Sequence, residues 1–156
     1  MTDVRQAPVS APEKADSPSR LPAEGGTGRV LVVDDLEPVR TVISRSLAML
    51  GFTADTARDG AQAISLFTAN PALYALALVD VRLPGNMSGV DVVRELRRIR
   101  PEIPAILTSG YSLGESMIDS FARVDSVEFL QKPFKLAALA SAVQSALGGQ
   151  LRRESM

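Results

Sequence analysis

The sequence predicts a doubly wound α/β domain, a five-stranded parallel sheet in the order 2-1-3-4-5 with helices on both faces. Three observations carry this expectation. Short apolar runs alternate with amphipathic stretches five times between Arg29 and Leu147, and repeated strand–helix units give parallel sheets covered by helices. The first, third and fourth runs are almost continuously apolar, as strands buried on both faces are. The second and fifth are mixed and charged, which suits sheet edges. Three central strands and two edges leave 2-1-3-4-5 as the natural winding.

The elements follow in order. Val30-Leu31-Val32-Val33 is the first strand and ends at Asp34-Asp35. Val39, Val42, Ile43, Leu47 and Leu50 recur at helical spacing until Gly51 stops the run. Phe52 to Ala57 reads as the second strand, and Asp59 with Gln62 opens a capped helix through Ala69. Leu76-Ala77-Leu78-Val79 ends at Asp80; after a Pro84-Gly85 loop, Ser88 and Asp91 cap a helix through Ile99. Ile103 to Leu107 ends at Thr108, and Ser112 with Glu115 opens a weaker helix towards Ala122. Val127 to Gln131 ends at Lys132-Pro133, and a final helix carries Leu136, Leu139, Val143 and Leu147 before Gly148-Gly149. The domain is therefore placed at 29–148, with 149–156 as a flexible tail.

Residues 1–28 differ in kind. They hold four of the ten prolines and few large apolar side chains, so they are expected to form a disordered Pro/Ser/Ala-rich arm or linker. Their glycine run precedes a strand, whereas a dinucleotide fingerprint needs glycines after one. The 156 residues include neither cysteine nor histidine. This excludes disulfides, thiolate chemistry, Ser-His-Asp triads and Cys- or His-ligated metals. A net charge of −1 offers no footprint for nucleic acid or an anionic membrane, and Arg94, Arg97, Arg98 and Arg100 read as a solvated helix face. No run is long enough to span a bilayer, and no secretory signal is visible. A cytoplasmic location is the default expectation.

In an open parallel sheet, ligands bind beyond the carboxyl ends of the strands. Asp34, Asp35, Asp80, Thr108 and Lys132 all fall there. Two like charges about 4 Å apart repel by roughly 4 kcal/mol at an effective dielectric of 20, and one lysine cannot neutralise three carboxylates. A hard divalent cation can, and Mg²⁺ binds through one or two carboxylates while keeping waters for a phosphate. The cluster thus calls for Mg²⁺ and a phosphoryl group, with Asp80 as a nucleophile that forms an acyl phosphate.

At these residues the chain resembles the receiver domain of bacterial two-component response regulators, a flavodoxin-like fold. The motifs are Val-Leu-Val-Val-Asp-Asp (30–35), Leu-Val-Asp-Val-Arg-Leu-Pro (78–84), Met-Ser-Gly (87–89), Leu-Thr-Ser-Gly-Tyr (107–111) and Phe-Leu-Gln-Lys-Pro-Phe (129–134). The resemblance implies that Asp80 accepts a phosphoryl group. It further implies that Asp35, Asp80 and the backbone carbonyl of Arg82 ligate Mg²⁺, with Asp34 assisting through water. Lys132 and Thr108 would contact phosphoryl oxygens, the peptide before Pro133 would be cis, and Thr108 with Phe129 would form the switch pair. With no histidine here, the phosphohistidine donor must lie on a sensor histidine kinase or His-phosphotransfer domain.

Two positions depart from the commonest family pattern. Arg82 puts a long cation at the pocket mouth, and Phe129 lacks a hydroxyl to exchange partners. The expected output is a conformational switch on the face of the fourth helix (Ser112–Ala122), fifth strand and fifth helix, read by a downstream protein. The chain reads as a single-domain regulator or as the receiver of a hybrid sensor kinase, not as an enzyme beyond its own phosphorylation and slow autodephosphorylation. Two other classes stay open. One is a phosphate-independent pseudo-receiver. The other is an aspartyl-phosphate-type phosphohydrolase, which would place a second Asp where Arg82 stands.

Overall fold

The computed structural model describes residues 28–110 and 127–155, with side chains through 148. Five strands form one parallel sheet: β1 (Arg29–Val33), β2 (Thr53–Ala57), β3 (Tyr74–Asp80), β4 (Ala105–Ser109) and β5 (Glu128–Gln131). Their order is β2-β1-β3-β4-β5, as the distribution of charge among the strands predicts. The described helices are α1 (Glu37–Met49), α2 (Gly60–Ala69), α3 (Gly89–Ile99) and α4 (Leu136–Ser155), with one 3-10 turn at Pro71–Leu73. The weak helix expected over Ser112–Ala122, and the arm up to residue 27, lie outside the described residues.

Alternation along the strands divides the core into two layers. Leu31, Val33, Ala77, Val79 and Leu107 face α2 and α3, meeting Phe67, Val92, Val93 and Leu96. Val30, Val32, Leu76, Leu78 and Ile106 face the other way, onto Ile43 and Leu47 of α1 and Leu139 and Val143 of α4. Winding in both directions from β1 and β3 leaves their carboxyl ends side by side, which is where the site forms.

Local chemistry explains the helix starts. Ser88 Oγ accepts the Asp91 N–H and Asp91 Oδ2 accepts the Ser88 N–H, a complete capping box. Asp59 Oδ1 caps the Gln62 N–H, but the Gln62 amide oxygen reaches back to the Arg58 N–H, one residue before the cap. The last helix runs on through Gly148 and Gly149 to Ser155, past the end that the glycines suggest. Each glycine costs about 1 kcal/mol in a helix, but no proline follows to break it.

The arginines of α3 are a correction. Arg97 donates twice to the Ile103 carbonyl, and Arg100 donates to the carbonyls of Pro71 and Tyr74 and pairs with Glu102. These two are half-buried clamps on the loops before β3 and β4, not members of a solvated face. A strand-entry loop leaves carbonyls without ladder partners, and a guanidinium satisfies several of them at once.

A second network sits at the start of β3. Arg29 Nη1 donates to Asp55 Oδ1 at 2.7 Å, and the Tyr74 hydroxyl donates to Asp55 Oδ2 at 2.7 Å, with the ring stacked on Phe67. Burial, then the hydrogen bond to Asp55 and its charge, push the Tyr74 hydroxyl up to about 12. The folded state therefore holds this proton after the unfolded chain has lost it, so stability falls as pH rises from about 10 to 12. Tyr74→Phe should remove that part of the alkaline loss. Urea midpoints of wild type and Tyr74→Phe that fall equally between about pH 9 and pH 11 would contradict it.

Candidate metal and anion site

The residues predicted to hold metal and phosphoryl group stand at the carboxyl edge of the sheet. Asp34 follows β1, Asp80 closes β3, Thr108 lies near the end of β4 and Lys132 follows β5. Thr108 is paired in register with Asp80 on one side and Leu130 on the other. Asp34, Asp35 and Asp80 each offer a carboxylate oxygen, and these oxygens lie within 4.8 Å of one another. Asp34 and Asp80 are buried, while Asp35 is exposed.

Lys132 is shared between the two buried carboxylates. Its Nζ lies 2.9 Å from Asp34 Oδ2 and 3.2 Å from Asp80 Oδ2. The Lys132 N–H donates to the Ser109 carbonyl at 2.7 Å, and the following Lys132–Pro133 peptide is cis. Burial works against the ammonium, but the Asp34 hydrogen bond and the charges of Asp80 and Asp34 outweigh it, so the Lys132 pKa is raised. Asp80 moves upward too. Burial is the largest cause and the Asp34 charge adds to it, against Lys132 and the Arg82 N–H, which donates to Asp80 Oδ1 at 3.2 Å. One ammonium divided between two carboxylates stays charged itself without fully offsetting the desolvation of Asp80.

Thr108 Oγ1 is buried without a hydrogen-bond partner. A buried unpaired hydroxyl costs about 1–3 kcal/mol, and this one stands on the strand position paired with Asp80. Among the described residues, a Cβ at Gly110 would meet only the Lys132 side chain, at 4.0 Å. Arg82, two residues after Asp80, is exposed. Phe129 is half-buried against the α2–α3 side of the core and pairs in register with Leu107.

The donor set fits a hard cation. It is all oxygen, it carries more negative than positive charge, and one of its carboxylates faces solvent, as partly hydrated Mg²⁺ requires. Clustering also has a cost without metal. Ionised Asp80 is disfavoured in the fold, so its stabilising influence exists only while it is protonated and is lost as pH rises through its raised pKa. Metal-free Asp80→Ala should therefore melt a few degrees above wild type near neutral pH, and Mg²⁺ should raise the melting temperature of wild type only. An unchanged or lower melting temperature for the metal-free variant would show that the carboxylates do not burden the fold.

Two features escape sequence reasoning. Gly89, the first residue of α3, lies so close to the end of β3 that a Cβ there would stand 2.1 Å from the Asp80 carbonyl oxygen. Arg40, in the first turns of α1, donates to the Asp34 carbonyl at 2.8 Å. Neither a glycine after a serine cap nor a charge on an amphipathic helix signals such a contact.

The family model for the response regulator receiver domain matches residues 30–144. Regulatory protein AtoC of Escherichia coli is 33% identical over 120 residues, covering 76% of this chain and 25% of that protein. Sensor kinase CckA of Brucella abortus is 34% identical over 148 residues, covering 92% of this chain and 15% of that protein. The chain thus spans a quarter or less of the length of these two relatives. Among solved structures, a response regulator receiver domain protein from Clostridium thermocellum superposes with a TM-score of 0.71 at 25% identity, over 83% of this chain and 99% of that one.

Proposed function

The chain belongs to the family of response regulator receiver domains, and from that premise we propose that Asp80 is its phosphoacceptor. The observation that carries the reading is the meeting of Asp34, Asp35 and Asp80 within 4.8 Å, with Lys132 bridging two of them. In this reading an Asp80 carboxylate oxygen attacks the phosphorus of a phosphohistidine on a partner histidine kinase or His-phosphotransfer domain. The O–P bond forms, the P–N bond breaks, and the imidazole nitrogen leaves with the electron pair.

Asp35, Asp80 and the Arg82 carbonyl would hold Mg²⁺, with Asp34 contributing through water; the bound ion supplies charge neutralisation for the phosphoryl oxygens. Lys132 turns its charge from the carboxylates to one phosphoryl oxygen, and Thr108 gives its unpaired hydroxyl to another. Thr108 drawn towards the phosphoryl group, with Phe129 repacking behind it, would pass the state to the surface of β5 and α4. The domain proper is assigned to 29–148.

A phosphohydrolase is disfavoured because the exposed Arg82 offers no proton-donating carboxyl two residues after Asp80. A second placement has support from the match to CckA, a sensor kinase, which extends over more of the chain than the match to AtoC. That placement is as the receiver of a hybrid kinase, beside the single-domain regulator. Intact-mass spectrometry after incubation with acetyl phosphate and Mg²⁺ tests the function. A persistent gain of one phosphoryl group is expected. No adduct would favour a pseudo-receiver, and rapid release of phosphate without accumulation would favour a hydrolase.

A further inference from the structure

Asp34 is held at every polar atom. Its N–H donates to the Ala57 carbonyl at 3.1 Å. Its Oδ1 accepts the Leu36 N–H at 3.0 Å, its Oδ2 accepts Lys132 Nζ at 2.9 Å, and its carbonyl accepts Arg40 Nη1 at 2.8 Å. The neighbouring Asp35 is different. Its exposed carboxylate makes no hydrogen bond or ion pair with any described residue. Its place beside Asp34 and Asp80 is therefore set by the backbone on either side of it.

That backbone has an unusual support. Leu36 occupies the N-cap of α1 and supplies no side-chain cap, so within the helix only Pro38 in the first turn restrains the angle at which the chain enters it. Asp34 takes over from outside by accepting the Leu36 N–H. Arg40 returns from the helix to the Asp34 carbonyl, closing a reciprocal link around Asp35. We propose that Arg40 is a positioning residue for the divalent-cation site, its bond to the Asp34 carbonyl holding the turn that keeps the Asp35 carboxylate beside those of Asp34 and Asp80. This rests on the reading of the cluster as a cation site.

Charge alone makes the opposite demand. A guanidinium near three carboxylates competes with a divalent cation, so deleting it should tighten binding if charge were its only contribution. A purely structural role would lower stability and leave cation affinity unchanged. The sign of the affinity change therefore decides. Calorimetric titration with Mg²⁺ alone is the test, on wild type, Arg40→Met, Arg40→Lys and Asp35→Asn. Arg40→Met, which keeps length and apolar packing but no donor, should bind Mg²⁺ about tenfold more weakly, the usual cost of losing an outer-shell partner. Arg40→Lys should recover part of that loss by donating to the same carbonyl. In metal-free Arg40→Met, the Leu36 amide should exchange faster while β1 and β3 stay protected. Mg²⁺ binding by Arg40→Met as tight as wild type, or tighter, overturns the proposal. If that occurs while Asp35→Asn still abolishes binding, the cation site stands and only Arg40 is misassigned. If wild type binds no Mg²⁺, the site reading fails and the role of Arg40 with it.

Discussion

Asp80→Asn should form no acyl phosphate, labelling at less than about a thousandth of the wild-type rate with acetyl phosphate and Mg²⁺. An amide has nearly the shape of the carboxylate but is a poor nucleophile. The surroundings tolerate the change. The Arg82 N–H keeps an acceptor in the amide oxygen; the amide NH2 then faces Lys132 in place of Oδ2 and loses that contact, but Lys132 keeps its 2.9 Å contact with Asp34. Since ionised Asp80 is disfavoured by burial, the variant should fold at least as stably as wild type in the absence of metal. Loss of labelling is then chemical and not structural, and a melting curve run beside the mass measurement shows it. Labelling at the wild-type rate and stoichiometry would move the acceptor to another residue.

Gly89→Ala should be among the most damaging single-methyl changes the chain can undergo. Helix propensity alone says the reverse, because alanine at a helical position is worth about 1 kcal/mol over glycine. The tertiary contact overrides it. The added Cβ would lie 2.1 Å from the Asp80 carbonyl oxygen, 2.8 Å from its carbon and 2.9 Å from the Val81 Cα. All three are backbone atoms of a segment tied by the Val81 N–H to Thr108 and by the Gly89 N–H to Val81, so no side chain can swing aside. Overpacking typically costs about 1–3 kcal/mol, and a clash with backbone belongs at the upper end or beyond it. A loss of about 3 kcal/mol lowers the melting temperature by roughly 10–20 °C in a domain of this size. Gly85→Ala is the control. Gly85 has open space around it and pays only for its positive φ, about 1–2 kcal/mol. Urea unfolding of the two variants side by side should rank them clearly; equal midpoints would mean that α3 can move away from β3 without penalty.

Much of this protein is legible along the chain. Val30 to Val33, Leu76 to Val79 and Ile106 to Leu107 are apolar on both faces because helices cover both faces, and composition reports such burial directly. The charges of Asp55 and Glu128 mark edge strands for the same reason. Strand ends carry Asp34, Asp35, Asp80, Thr108 and Lys132, and the topology that follows from the pattern brings them to one edge. The tertiary structure alone decided which of them touch. Lys132 lies 98 residues from Asp34, yet it divides its charge between Asp34 and Asp80 and leaves Asp35 to solvent, a choice made by the reach of one side chain across three strands. The same holds for Arg97 and Arg100, which clamp carbonyls, and for Gly89, whose missing Cβ is required by a strand end and not by its own helix. Periodicity and composition record how much of each residue meets water, because burial is averaged over many neighbours. Pair contacts between charges, donors and bare backbone depend on positions to within an ångström, and those exist only once the sheet has closed its register.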